Sequence, residues 1–343
     1  MISRKLAAGL FTGLAGVLTM TFGNGQLPLA GTANSSDDPH HMDHVFVIMM
    51  ENHGREQILD PNNAGTPHLR ALAKEYGTAM NYYGVTQPSQ PNYIAVTSGS
   101  TWGSAANNND QRVALDHTNI VDQFEEHNVS WKAYMESAPY PGYMGGRYMD
   151  PNGSGAYAPG HNPFVLYPSI IDNPERLNKV VPLTQLSTDI ADHKVPEFVW
   201  ITPNLCHDMH MGPGCDTLDE TQLERLGDNF VDEWVKKIMN SNAWTGNSTI
   251  FITYDEGPGG EYCCDSLPVT AGDLSKSPEV HGGGNVPMIV ISRHGSRGYT
   301  NNEKYNHYSL LRTIEENWDL GYLGFASDSR QVHSLTPFLR AGS

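Results

Sequence analysis

Basic residues are scarce in this chain of 343 residues. Lysine and arginine together number 21, against 38 aspartates and glutamates, which gives a formal net charge of −17 at pH 7. A surface this acidic excludes binding to nucleic acid or to an anionic membrane through net charge. It would also repel an anionic small molecule at long range, so a site for such a ligand would need a local cation such as a metal ion.

Long apolar runs are absent except at the N-terminus. There, Arg4 and Lys5 precede an apolar run over 6–22, and small residues follow it. This pattern predicts a signal peptide over 1–33, a polar linker over 34–42, and hence a secreted protein. We expect no stable membrane span after removal of the signal, because no other run is long and apolar enough to cross a bilayer.

Cysteines are few: Cys206, Cys215, Cys263 and Cys264. In an exported protein, disulfides are the default interpretation. Because adjacent cysteines bridge only with strain, we expect Cys263 and Cys264 each to pair with one of the other two. Zinc binding is the alternative, but adjacent cysteines are poorly spaced as ligands of one ion.

Strand-like and helix-like segments alternate along the rest of the chain. Short continuous apolar runs indicate buried strands, and longer amphipathic segments indicate helices. The alternation predicts one α/β domain over 43–340 with a mostly parallel central sheet. The predicted strands are 45–50, 129–135, 198–201, 249–253 and 288–292, and the predicted helices are 66–77, 120–127, 183–191, 220–239 and 307–318.

The segment QPSQPNYIAVTSG at 87–99 is the first candidate for chemistry. Ser89 stands between two prolines just before an apolar run, which predicts a stiff turn that opens a helix. Free N–H groups at a helix start can bind an anion, and a base or a metal can activate a serine hydroxyl as a nucleophile. Asn92 could donate an amide hydrogen bond to the same anion. Taken alone, the segment also fits a turn rich in turn-forming residues.

Polar residues follow several predicted strands. They lie at 51–53, 204–210 and 255–257, and His281 shortly precedes a further strand. Parallel strands share one carboxyl edge, so we expect the first three groups to converge. Converging carboxylates repel each other unless they are protonated or bound to metal. The pattern therefore predicts a divalent metal ion, which would also lower the pKa of a bound serine hydroxyl.

Residues 136–168 are rich in glycine, proline, tyrosine and asparagine. A long irregular segment inside a compact domain is often a substrate-binding or lid region. Arg147 and His161 are the candidate substrate contacts in it.

Taken together, these motifs resemble the alkaline phosphatase superfamily. More closely, they resemble the bacterial phosphoesterase family, which contains secreted acid phosphatases and phospholipases C. The resemblance runs from residue 43 to residue 325 and implies a three-layer α/β/α sandwich. The motifs that carry it are VIMMENH (47–53), PSQPNY (88–93), TPNLCHDMH (202–210), YDEG (254–257), HGGGNVP (281–287) and HYSLLRTIE (307–315).

The resemblance implies a role for each matching residue. Ser89 would be the nucleophile, forming a phosphoserine intermediate, and would also ligate a metal ion. Asn92 would stabilise the phosphoryl oxygens, and Asn52 would ligate the metal or touch the phosphate. The remaining ligands of this metal would be Glu51, Asp255 and Glu256.

A second metal ion is a further implication of the resemblance. His281 looks like the last histidine ligand of the superfamily's second site, and Asn204 and Asp208 fall where the other ligands would lie. The sequence departs from the pattern, because Asp255-Glu256 replaces the usual Asp-His pair and an asparagine stands at 204 in place of an aspartate. This oxygen-rich set suits Mg²⁺, Ca²⁺ or Mn²⁺, with Zn²⁺ left open, so we predict one metal and leave the second open.

Three histidines are left for other roles. His210 and His307 are predicted catalytic residues, as acids that protonate the leaving group. They and His207 could instead contact substrate or support the ligands.

Three functions fit these expectations. The first is a secreted, metal-dependent phosphomonoesterase that acts on a small-molecule or lipid phosphate ester. The second is a phosphodiesterase of the phospholipase C type, with the same core and a different pocket. The third is a non-catalytic binding protein on the same fold. A sulfatase is disfavoured, because its motif needs an arginine where Tyr93 stands.

Overall fold

The computed structural model of the protein describes residues 41–104, 106–107, 114–264 and 282–339. The predicted signal peptide and most of the predicted linker lie outside the described residues. So does His281, the predicted ligand of a second metal.

Ten strands are present in the described chain, eight of them in one sheet. The other two form a small antiparallel ribbon. In chain order, the strands are β1 (Val45–Met50), β2 (Gly77–Tyr83), β3 (Trp131–Met135), β4 (Tyr148–Met149), β5 (Ala156–Tyr157), β6 (Val180–Pro182), β7 (Phe198–Thr202), β8 (Thr249–Tyr254), β9 (Met288–Ser292) and β10 (Thr300–Asn306).

The large sheet has the order β10-β2-β9-β8-β1-β7-β3-β6. Only β9 runs against its neighbours, β2 and β8, whereas all other pairs are parallel. The prediction of an α/β fold with a mostly parallel sheet is therefore confirmed.

Nine α-helices connect the strands in the described chain. None of them is long and apolar enough to span a bilayer. They are α1 (Arg55–Ile58), α2 (Pro67–Glu75), α3 (Ser89–Ser98), α4 (Ile120–Glu126), α5 (Pro168–Ile171), α6 (Pro174–Leu177), α7 (Thr184–Ala191), α8 (Glu220–Met239) and α9 (His307–Asn317).

The centre of the sheet is covered on both faces. Every residue of β1, β7, β8 and β9 is buried. Successive side chains of a strand point to opposite faces, so burial at every position requires a layer on each side. This is the arrangement of a three-layer sandwich, and it fixes the strand ends that carry the polar motifs.

The sequence did not predict β2, which is seven residues long and mostly buried, or the strands β4, β5, β6 and β10, which are polar or short. The edge strand β10 has the sequence TNNEKYN and is mostly exposed. Edge strands need no apolar run, because one side faces water, and charged side chains there discourage pairing with other chains. The segment 136–168 is irregular as expected, with only the ribbon β4-β5, the start of α5 and short 3₁₀ turns at Pro159–His161 and Pro163–Val165.

The predicted disulfide pairing is wrong. Cys206 pairs with Cys215, and Cys263 pairs with Cys264. Cys206 lies in the loop after β7, whereas Cys264 Sγ lies 3.8 Å from the Lys304 carbonyl in β10. These two strands are five positions apart in the sheet, which corresponds to roughly 24 Å, so the sheet keeps the two pairs of cysteines separate.

We expect the double substitution Cys206→Ala/Cys215→Ala to lower the free energy of unfolding by about 2–3 kcal/mol, because the bond closes a loop of sequence separation 9. Urea denaturation measures the loss. The matched control is Cys263→Ala/Cys264→Ala, which opens almost no loop and should cost less. A non-reducing peptide map that links either of the first two cysteines to either of the last two would contradict the pairing.

Candidate active site

Ser89 is the first residue of α3, so the serine opens a helix as predicted. Its side chain is buried, and its Oγ donates a hydrogen bond to Glu51 Oε2 at 2.9 Å. Glu256 Oε1 lies 3.5 Å from the same Oγ. The hydroxyl is therefore directed at carboxyl groups and not at bulk water.

The turn before Ser89 is shaped by Asn92. Asn92 Oδ1 accepts the N–H groups of Val85 and Thr86 at 2.8 and 3.1 Å. Its Nδ2 donates to the carbonyls of Thr86 and Pro88 at 2.8 and 3.3 Å. Because both ends of the amide are used in the turn, the geometry favours a positioning role. The predicted contact of Asn92 with phosphoryl oxygens stays a prediction.

Four carboxyl groups meet at the carboxyl edge of neighbouring strands. Glu51 follows β1, Asp208 lies in the loop after β7, and Asp255 and Glu256 follow β8. Since β1 pairs in parallel with both β7 and β8, the three strand ends meet, and the predicted convergence is confirmed. All four residues are buried. We call them the carboxyl cluster.

Backbone donors satisfy only part of the carboxyl cluster. The Asn52 N–H donates to Asp255 Oδ1 at 3.0 Å, and the His210 N–H donates to Asp208 Oδ1 at 2.7 Å. Asp255 Oδ2 and Glu256 Oε2 are buried and accept no hydrogen bond from any N–H or hydroxyl of the described chain. A buried oxygen without a partner costs free energy, and a cation would remove that cost.

Burial raises the pKa of every member of the carboxyl cluster. It takes the pKa of Glu51 well above its usual range, with the charges of Asp255 and Asp208 adding to the effect. The pKa of Asp208 rises to about 8, and that of Glu256, next to Asp255, to about 9. Burial raises the pKa of Asp255 as well. The cluster cannot carry four negative charges at neutral pH unless a cation compensates them.

The residues present fit a divalent metal ion. The cluster has buried carboxylate oxygens without partners, and the Ser89 hydroxyl is directed at it. Oxygen donors of this kind suit hard ions such as Mg²⁺, Ca²⁺ or Mn²⁺. Glu51, His161 and Asp208 also offer ligand atoms that lie within 4.8 Å of one another.

His161 lies inside the cluster, whereas the sequence predicted a substrate contact. Its Nδ1 is 3.2 Å from Asp208 Oδ2, and its Nε2 is 3.4 Å from Glu51 Oε1. Burial lowers its pKa to about 4, so the ring is neutral at pH 7 and has a lone pair for a metal. The geometry favours His161 as a ligand, and substrate contact stays a prediction.

His210 and Arg147 both act on His161 and are more exposed than it is. The His210 ring packs edge-to-face on His161, with centroids 5.7 Å apart, and is partly exposed. Arg147 is exposed, yet its charge helps to lower the pKa of His161. The catalytic role of His210 and the substrate contact of Arg147 stay predictions.

His307 is not placed to donate a proton to a leaving group. It is buried at the start of α9, with Nε2 2.5 Å from the Asp255 carbonyl and Nδ1 3.0 Å from the Tyr82 hydroxyl. A carbonyl only accepts, so Nε2 carries the proton, and burial lowers the pKa of the ring to about 4. Both nitrogens are used, so the structure places His307 as a support for Asp255 and not as an acid facing the leaving group.

Asn204 is not placed as a metal ligand. Its Oδ1 accepts the N–H groups of Cys206 and His207, both at 3.0 Å, and its Nδ2 donates to Ser137 Oγ at 3.1 Å. Its carbonyl accepts the Asp208 N–H at 2.8 Å. These bonds give the loop after β7 its shape. Of the two predicted ligands Asn204 and Asp208, only Asp208 lies in the carboxyl cluster.

Glu136, which follows β3, makes two further contacts with the loop after β7. Its Oε2 accepts the Asn204 N–H at 2.9 Å, and its Oε1 lies 2.8 Å from His207 Nδ1. His207 therefore supports the loop.

Asn52 has a backbone φ of 51° and an exposed side chain. Its ligand or phosphate role stays a prediction, as does that of His281.

Three residues of the site were not predicted from the sequence. Tyr93 donates a short hydrogen bond to Glu51 Oε1, and Tyr82 binds His307. Gln87 Nε2 donates to the carbonyls of Gly257 and Gly259, which joins the turn before α3 to the loop after β8. Only Tyr93 carried a signal, because it stands four residues after the serine and so shares its helix face.

We expect the metal-free protein to lose stability as pH rises from 5 to 9. Raised pKa values in the folded state, about 8 for Asp208 and about 9 for Glu256, mean that the folded chain holds protons which the unfolded chain releases above its ordinary pKa of about 4. Deprotonation then favours unfolding. The melting temperature of chelator-treated protein, measured across this range, checks the trend.

Glu256→Gln is the control for this trend. It removes one of the titrating groups, so the fall in melting temperature should be shallower. Added Mn²⁺ should flatten it in the unaltered protein. A melting temperature that stays constant from pH 5 to 9 without metal would contradict the raised pKa values.

Comparisons with known proteins agree with this geometry. A model of the Phosphoesterase family matches residues 60–321. An acid phosphatase of Aspergillus fumigatus is 28% identical over 283 residues, which are 81% of this chain and 55% of that protein. A phosphate-repressible acid phosphatase of Penicillium chrysogenum is 30% identical over 283 residues, which are 82% of this chain and 60% of that protein. The chain therefore spans little more than half the length of these relatives.

A solved structure shows the same fold. It is a Bacteroides thetaiotaomicron protein from work on a genetic locus for glycosaminoglycan metabolism. It superposes with a TM-score of 0.55 and 13% identity, over 87% of this chain and 82% of its own. At that identity the likeness concerns the fold alone. The family match covers most of the sequence, so the chain belongs to the Phosphoesterase family.

Proposed function

We propose that the protein is a secreted, metal-dependent phosphomonoesterase that forms a phosphoserine intermediate on Ser89. The observation that carries the proposal is the buried Ser89 hydroxyl, which donates to Glu51 inside a cluster of carboxyl oxygens without partners. Family membership and two relatives named acid phosphatases support this reaction class. The substrate is a small-molecule or lipid phosphate ester.

The residues that would hold the metal are Glu51, Asp255, Glu256 and Ser89, with His161 and Asp208 next to them. When bound, a divalent ion would neutralise phosphate oxygens and lower the pKa of the serine hydroxyl. This local positive charge would also offset the acidic surface of the chain.

The first step is attack by Ser89 Oγ on phosphorus. The Oγ–P bond forms while the P–O bond to the leaving group breaks. The hydroxyl proton passes to Glu51 Oε2, which already accepts it in a hydrogen bond of 2.9 Å. The Oγ–P bond therefore forms at a serine whose position is fixed by the start of α3 and by the turn before it.

The leaving group needs a proton on its departing oxygen. Of the two predicted acids, His210 is the partly exposed one, and its Nδ1 is directed at the Met211 carbonyl at 3.2 Å. Because a carbonyl only accepts, Nδ1 carries a proton, and the ring donates from Nε2 to the leaving oxygen in its doubly protonated form. Water then attacks the phosphoserine, the P–Oγ bond breaks, Ser89 regains its proton, and inorganic phosphate is released.

We expect Ser89→Ala to lower kcat for p-nitrophenyl phosphate by at least about 10³-fold, because no other group can form the covalent intermediate. The control is Ser98→Ala at the other end of α3, whose hydroxyl donates to the Ile94 carbonyl and which should keep nearly the full rate. Acid-quenched turnover followed by mass spectrometry should find phosphate on the peptide with Ser89. A wild-type rate in Ser89→Ala would refute the nucleophile.

We expect the purified protein to hydrolyse p-nitrophenyl phosphate faster than p-nitrophenyl phosphorylcholine, and a chelator to remove the activity. Added Mn²⁺ should restore it. A preference for the choline diester would assign the same site to a phosphodiesterase. Turnover of neither ester by metal-loaded protein would favour the non-catalytic binding protein.

A further inference from the structure

Tyr93 is a buried residue on α3, four positions after Ser89. Residues four apart lie on the same face of a helix, one turn from each other. The serine and the tyrosine therefore approach the carboxyl cluster from the same helix face. The mechanism above uses the first and gives the second no role.

Both residues bind the same carboxyl group. Ser89 Oγ donates to Glu51 Oε2 at 2.9 Å, and the Tyr93 hydroxyl donates to Glu51 Oε1 in a short hydrogen bond. With one oxygen held by each donor, the Glu51 carboxyl group has a single orientation relative to the helix. Hydrogen bonds are directional, so two donors restrict the carboxyl group more than one donor would.

The ring of Tyr93 also contacts a second residue of the site. It stacks on His161 with ring centroids 5.4 Å apart and an interplanar angle of 5°. His161 in turn lies beside Glu51 and Asp208. Trp200 of β7 also packs near the tyrosine, with ring centroids 6.3 Å apart and the ring planes tilted by 57°. Tyr93 thus joins helix α3 to residues from β1 and from the irregular segment 136–168.

We propose that Tyr93 is a positioning residue that orients Glu51 and His161 for metal binding and holds Glu51 against the Ser89 hydroxyl. The inference rests on the proposed function. Its physical basis is that residues which hold metal ligands by hydrogen bonds change metal affinity or activity by about 10–100-fold when they are removed. The alternative is a core tyrosine whose hydroxyl merely needs a partner.

The test compares two buried tyrosines that contact the same helix. Tyr93→Phe keeps the ring on His161 and removes only the hydroxyl. The matched control is Tyr167→Phe, since the Tyr167 hydroxyl binds Thr97 Oγ1 of α3 at 2.7 Å and does not contact the carboxyl cluster. Calorimetric titration of chelator-treated protein with Mn²⁺ alone measures metal affinity, and steady-state kinetics with p-nitrophenyl phosphate measure kcat and KM.

We expect Tyr93→Phe to weaken Mn²⁺ binding about 10–100-fold and to lower kcat with little change in KM. Tyr167→Phe should leave all three quantities near the wild-type values. Both substitutions should lower the metal-free melting temperature to a similar, small extent, because each removes one buried hydrogen bond.

Equal metal affinity and equal kcat in Tyr93→Phe and Tyr167→Phe would overturn the proposal and leave Tyr93 as a core residue. Failure of the proposed function is a separate result: the wild-type protein would hydrolyse no phosphate ester, while the titrations with Mn²⁺ would still decide whether Tyr93 orients the ligands.

Discussion

Mutual repulsion among four buried carboxyl groups is the constraint on which the rest of the site depends. Glu51, Asp208, Asp255 and Glu256 lie together with two oxygens that no N–H or hydroxyl of the described chain satisfies. Protonation or a cation must compensate such a cluster, and only the cation also prepares it to bind an anion. The chain has a net charge of −17, which repels phosphate at long range. The positive charge of the bound cation would therefore supply the attraction for a phosphate group.

The sheet and a set of amide side chains hold this unfavourable cluster in place. The strands β1, β7 and β8 are buried at every position and pair in parallel, so their ends cannot move apart without disrupting the core. Asn92 and Asn204 use both ends of their amides to shape the turn before Ser89 and the loop that carries Asp208. The free energy gained by packing the core therefore offsets the free energy that the four buried carboxyl groups cost. The core in this way keeps the carboxyl groups close enough to bind a metal ion.

Hydrogen-bond partners from distant segments explain which predicted roles the structure does not support and which it leaves as predictions. Asn92, Asn204 and His307 have the residue types that ligands and acids need, but their polar atoms are used by backbone groups or by a tyrosine. His161 was predicted to contact substrate, and instead it lies between Glu51 and Asp208. Sequence motifs identify the chemical type of a side chain, whereas its hydrogen-bond partners come from segments far away in the chain. The disulfides failed for the same reason, since spacing along the chain did not reveal that the cysteines lie near different strands.

The amino-acid sequence by itself determined the parallel α/β architecture, the serine at the start of a helix and the convergence of Glu51, Asp208 and Asp255. Each of these follows from local rules: apolar runs of strand length, a proline-flanked turn, and polar residues at strand ends that share one edge. Only the tertiary structure decided the polar edge strand β10, the cysteine pairing, and the places of His161 and Tyr93. Those features depend on which distant segments meet, and the packing of the whole sheet sets that arrangement, because no local pattern in 136–168 specifies where the segment lies.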